Sequence, residues 1–191
     1  MTSQALNDLP DPTTVPTAGF LPRLAAAIID IVVTIPLSYG VFFFLVRQPS
    51  LYGVVAMWLI SFIYKPVLES ALGFTVGKWI LRLRVVDRGT NLRIDLNQSF
   101  IRYLPWAISA FVTLFVYIRV SQSAGIQEVT DVWAFNEYLA KFPLSQNFLV
   151  SLGNSFPVFS AVWLITDPWN RALHDRWAGT FVVRDIFLNR D

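Results

Sequence analysis

The sequence predicts an all-α membrane protein: four transmembrane helices as two antiparallel hairpins, a small cytoplasmic β-hairpin or three-stranded sheet, and a short outer interfacial helix. Three observations carry this. The 191 residues are 54% hydrophobic and only 15% charged, against roughly 25% charged in soluble domains. The apolar residues come in long blocks rather than interleaved with charge, as a soluble core would require. Basic residues concentrate in alternate connecting segments.

Residues 1–19 contain three prolines and no Lys or Arg, so they lack the basic start of a signal peptide and read as a disordered cytoplasmic tail. Apolar runs follow at about 24–46, 51–72, 100–118 and 148–166. A spanning helix needs roughly 20 apolar residues, and lipid offers the backbone no partners, so each run should be helical. The link Arg47-Gln-Pro-Ser50 is short enough to force the first two spans into a hairpin. With the N-terminus inside, eleven Lys and Arg fall in inside segments and three outside, while Lys65 lies within a span. The positive-inside rule then places both termini in the cytoplasm.

Between the second and third spans, Leu81–Val86 and Leu92–Asp95 alternate in polarity around the turn residues Asp87–Asn91, the pattern of a β-hairpin. Thr180–Arg184 is a third strand candidate, since two strands alone are marginal in water. In the outer loop, Val132, Phe135, Leu139 and Phe142 share one helical face, with Glu137 and Lys141 at i,i+4, which predicts a helix lying in the interface. Residues 186–191 complete the chain as a second cytoplasmic tail.

The absence of cysteine removes disulfides and thiolate metal sites. A single histidine, His174, removes any site built on paired imidazoles. The formal charge of +2 is too small to indicate nucleic acid. Gly73-Phe-Thr-Val-Gly-Lys-Trp79 is one residue short of a phosphate-binding loop, and Trp79 stands where Ser or Thr is required. No nucleophile–base pair or metal cluster is visible, so no catalytic, cofactor or metal residues are expected and the protein is read as a non-enzyme. Trp58, Trp79, Trp106 and Trp177 read as interfacial anchors or packing.

The intramembrane charges are the candidate functional residues. Asp30 lies two helical turns after Arg23, on the same face and about 10 Å along. Arg23 can snorkel to the headgroups, but Asp30 is too short to do so. Folding the hairpin at Arg47–Ser50 brings Asp30 level with about residue 67 by the helical rise, between Lys65 and Glu69. Three readings stay open: an Asp30–Lys65 ion pair that orders the hairpin, a carboxylate that handles protons or cations, or an unpaired carboxyl kept neutral by burial.

Arg23-Leu-Ala-Ala-Ala-Ile-Ile-Asp30, Glu69-Ser-Ala-Leu-Gly-Phe-Thr-Val-Gly-Lys78 running into Leu83-Arg-Val-Val-Asp87, and Leu173-His-Asp-Arg-Trp-Ala-Gly-Thr180 followed by Val182-Val183 appear in this order. Over residues 20–185 the chain resembles the RDD family of bacterial integral membrane proteins, named for one arginine and two aspartates. The resemblance assigns those roles to Arg23, Asp30 and Asp175, with Lys65 and the long outer loop departing from its pattern. It implies the bacterial plasma membrane, and cation/proton exchange as one activity proposed within the family.

Asp175 is expected to pair with Arg23 or Arg102 and pin the C-terminal segment beneath the bundle. Arg23 and Arg102 each open a span, and Trp79 and Trp177 each precede a Val-Val pair, an internal echo of two similar halves. Two functions follow as expectations. One is a small ion transporter, working as a homo-oligomer, that moves a monovalent cation or proton through Asp30. The other is a membrane scaffold or assembly partner whose basic cytoplasmic face binds protein or anionic lipid.

Overall fold

A computed structural model describes residues 16–184. Of the expected tails at 1–19 and 186–191, residues 1–15 and 186–191 lie outside the described residues. Among the described residues, four helices are long and apolar enough to cross a membrane. They are α1 (Phe20–Phe42, continued by a π-turn over Phe43–Arg47), α2 (Leu51–Leu72), α4 (Leu96–Ser121) and α6 (Phe148–Thr166). Between them lie α3 (Val76–Ile80), β1 (Leu83–Asp87) and α5 (Val132–Lys141). After α6 come α7 (Leu173–Ala178) and β2 (Thr180–Arg184). The third span begins four residues earlier and ends three later than its apolar run, because polar Asn97, Gln98 and Ser99 continue the helix beyond its apolar part.

The chain forms two compact units, one of residues 16–33, 65–104 and 160–184 within the described range, the other of 34–64 and 105–159. In the first, β1 pairs antiparallel with β2, from Leu83 opposite Arg184 to Asp87 opposite Thr180. The strands are short apolar runs, and Leu83, Val85, Val86, Phe181, Val182 and Val183 are all buried. This corrects the expected hairpin and three-stranded sheet, since among the described residues the sheet has two strands and segment 92–95 contributes only the bridge of Arg93 to Val86. The reason is local. Asp87 Oδ1 accepts from the Gly89 and Thr90 amides and closes the turn, while Asp95 accepts the Gln98 amide at 2.6 Å and starts α4. The segment between them is too short to alternate as a strand. Thr17 bridges Val183 on the other edge, so chain within the expected N-terminal tail joins this unit.

In the second unit, Gly40 lies against Met57 and Gly53 against the Phe44 ring, positions where a side chain would collide. Trp58 donates to the Ala110 carbonyl at 2.9 Å. Helix α5 forms where the outer helix was expected. Asp131 caps it by accepting from the Trp133 and Ala134 amides. Phe135 is buried, Leu139 and Phe142 pack on the same cluster, and Trp133 is 85% exposed.

Candidate functional site

The first unit contains a chain of alternating charges. Lys78 donates to Glu69 Oε1, and Arg102 Nε reaches Glu69 Oε2 at 3.1 Å. Arg102 Nη1 donates to Asp175 Oδ1, and Arg23 Nη1 lies 2.5 Å from Asp175 Oδ2. Five side chains from α1, α2, α3, α4 and α7 thus form one continuous network in the order Lys78, Glu69, Arg102, Asp175, Arg23. Asp175 is fully buried, and Glu69 and Arg102 are each 1% exposed.

Local structure puts each group there. Asp175 lies in the first turn of α7, and its Oδ2 also accepts the Ala172 amide at 3.0 Å. The side chain that caps the helix start therefore also binds the two arginines. Gly179 ends α7 in the left-handed conformation at φ 64°, which directs the chain into β2. Thr180, the first residue of β2, accepts from Arg102 Nη1 through its hydroxyl. Arg23 Nε donates to the Ala18 carbonyl at 3.0 Å.

Burial alone would push the Asp175 carboxyl up, but Arg102 and Arg23 overcome it and hold the group well below the usual carboxylate range. Burial pushes the Lys78 ammonium down, with Glu69 opposing. His174, beside Asp175, is held well below its usual value by burial and stays neutral at pH 7.

Asp30 is held differently. It accepts from the Thr75 hydroxyl at 2.6 Å and from the Gly77 amide at 2.8 Å. Thr75 precedes α3 without capping it through its own side chain, so the Asp30 carboxylate, reaching over from α1, takes that place. Gly77 allows the approach, because a Cβ there would overlap the Ala26 carbonyl of α1. Lys65 is half-buried one turn before Glu69, and its ammonium lies within electrostatic reach of Glu69, Lys78, Arg102 and Asp30.

All six sequence-derived candidates, Arg23, Asp30, Lys65, Glu69, Arg102 and Asp175, fall in this unit. Asp175 contacts both candidate arginines rather than one. Sequence reasoning missed Thr75, Lys78 and Thr180 as partners, and it missed Ser160. Ser160 Oγ lies 2.7 Å from His174 Nδ1 and accepts the His174 amide at 3.3 Å, while His174 Nε2 is 3.5 Å from Asp175. Ser160 is 1% exposed, and both of these contacts engage its hydroxyl with His174. The serine, histidine and aspartate therefore form a closed seam rather than an exposed nucleophile. Among the described residues, no group of three or more His, Asp and Glu is placed to hold a metal ion.

Apolar helices of spanning length joined by a buried arginine–aspartate clasp define the class: a helical membrane protein with an internal charge network. Residues 17–179 match the model of the RDD family, and the chain belongs to that family. No curated protein and no solved structure matches it.

Proposed function

We propose that the protein is a small, non-catalytic ion transporter of the bacterial plasma membrane that exchanges a monovalent cation for a proton. Its spans form two antiparallel hairpins, both termini are cytoplasmic, and α5 lies in the outer interface. The copies act as a homo-oligomer, since four helices enclose little. The observation that supports this is the concentration of charge on otherwise apolar helices, with Asp30 beside a five-residue ionic network. A charge in the bilayer costs about 2.5–3.5 kcal/mol or more, and such groups commonly mark ion and proton paths.

Asp30 is the coupling group in this reading. A carboxylate that holds Thr75 and Gly77 links its own occupancy to the position of α3, because a proton or cation on it competes with those two donors. The ionic network fixes the surrounding segments so that this one contact can change.

A second reading has its own support. Both Asp30 oxygens are already engaged, and Trp79, Ile80 and Trp177 are exposed near exposed Arg82 and Arg176. That surface suits a scaffold resting on anionic lipid or on a partner protein.

Flux in proteoliposomes separates the two. A sodium, lithium or potassium gradient should drive proton movement in vesicles holding the wild-type protein, and Asp30→Asn should reduce it at least tenfold. Flux equal to that of empty vesicles for all three cations would reject transport and leave the scaffold reading ahead.

A further inference from the structure

We propose that Lys65 carries the exchanged proton, its ammonium standing in for the transported cation when none is bound. This rests on the transport reading above and names the proton-binding group for it. Arg23, Lys65, Lys78 and Arg102 are cationic, Asp30, Glu69 and Asp175 are anionic, and all of them lie in the first unit. Fully ionised, the set carries one positive charge more than its carboxylates neutralise. A low-dielectric setting disfavours such a surplus.

Protonating a carboxylate would enlarge the surplus, so relief requires that a cationic group give up a proton. The two arginines cannot, because a guanidinium stays protonated in proteins. Lys78 donates to Glu69 in a buried contact, and that proton ties α3 to α2. The count therefore falls on Lys65, which is half-buried. The charges within its reach are Asp30 on α1, Glu69 on α2, Lys78 on α3 and Arg102 on α4. His174 of α7, also within reach, is held neutral by burial and adds none.

A lysine ammonium and a monovalent cation bear the same charge. With Lys65 neutral the other six groups balance. One cation beside Asp30 and Glu69 then restores the single surplus that the ammonium had supplied, whereas cation and proton together would double it. The unit accepts one or the other. As the cation enters, Lys65 Nζ releases its proton to water, and the net charge of the unit is unchanged. Asp30 meets the cation and stays ionised throughout, so the two ions are coupled through charge.

Isothermal titration calorimetry on the detergent-purified full chain tests this, with sodium, lithium and potassium chloride against choline chloride. Two buffers of different ionisation enthalpy give the affinity and the protons released together. Between about pH 6 and 9, wild type should release up to about one proton per cation, and its affinity should rise by up to about tenfold per pH unit. Lys65→Gln should bind the cation without proton release and with an affinity that does not change with pH. Lys65→Arg, whose charge cannot leave, should bind at least about tenfold more weakly than wild type. Opposite effects from two substitutions at one position separate charge from misfolding. Proton release on cation binding to Lys65→Gln would overturn the proposal and leave transport standing. So would an affinity in Lys65→Arg within about threefold of wild type. Failure of all three cations to bind wild type would reject the transport reading and this proposal together.

Discussion

Replacing Asp175 with Asn removes the negative charge shared by Arg23 and Arg102 while nearly preserving shape. The carboxylate contacts both guanidiniums and caps α7 at Ala172. At an effective dielectric near 20, a pair of unit charges about 4 Å apart is worth about 4 kcal/mol. Two such pairs set an upper bound, because losing the charge also relieves the desolvation of Asp175 itself. Arg102 keeps Glu69 in the variant, so Arg23 is the group left without a counter-charge. Breaking a buried pair from one side costs about 3–5 kcal/mol. For a chain of this size that lowers Tm by roughly 10 °C, readable by tryptophan fluorescence on the detergent-purified protein. The companion variant Arg23→Gln should be less damaging in the Asp175→Asn background than alone, by about 1–3 kcal/mol. If Asp175→Asn melts within about 2 °C of wild type, or if the two substitutions add without coupling, the network does not hold these segments together.

Other substitutions probe neighbouring contacts. Thr75→Val removes the hydroxyl bonded to Asp30 and should cost about 1.5–3 kcal/mol, with Thr75→Ser recovering most of it in the same melting assay. Gly77→Ala drives a methyl into the Ala26 carbonyl; backbone meeting backbone should cost about 3 kcal/mol or more, seen as lost yield of folded protein on size exclusion. His174 is held below its usual pKa by burial, so below about pH 6.5 the unfolded chain takes up a proton that the folded protein does not. Stability should therefore fall as pH drops from about 6.5 to 5, and His174→Gln should flatten that slope; an unchanged slope in Tm against pH would place the linkage elsewhere.

The four helices were legible because length and hydropathy are local properties, and each apolar run lies within one long helix. Strand pairing was not legible in the same way. Alternation at Leu81–Val86 and Leu92–Asp95 suggested neighbours in sequence, but β1 takes its partner from the far end of the described chain. The choice depends on two apolar strands that each need burial on both faces, which no local window reveals. The internal echo is visible in the order of elements, with α3 leading into β1 as α7 leads into β2. For the site, charge in the spans was enough to single out Arg23, Asp30, Lys65 and Glu69, whereas Asp175 was marked by the family resemblance. The hairpin depth argument set Asp30 level with Lys65 and Glu69, but it could not see the chain after Leu72 returning to place Thr75 and Gly77 on the Asp30 carboxylate. Ser160, Thr75 and Thr180 are isolated small polar residues whose roles depend on distant contacts, so no spacing pattern marks them.

The clasp also constrains the order of events during biosynthesis. A ribosome delivers Arg23 152 residues before Asp175. Until α7 emerges, Arg23 lacks this counter-charge and Arg102 has only Glu69. A nascent chain halted before residue 173 would hold α1 and α4 with that deficit exposed to the insertion machinery and to membrane proteases. The arrival of α7 therefore closes the clasp, and from that point Arg23 and Arg102 share a buried counter-charge.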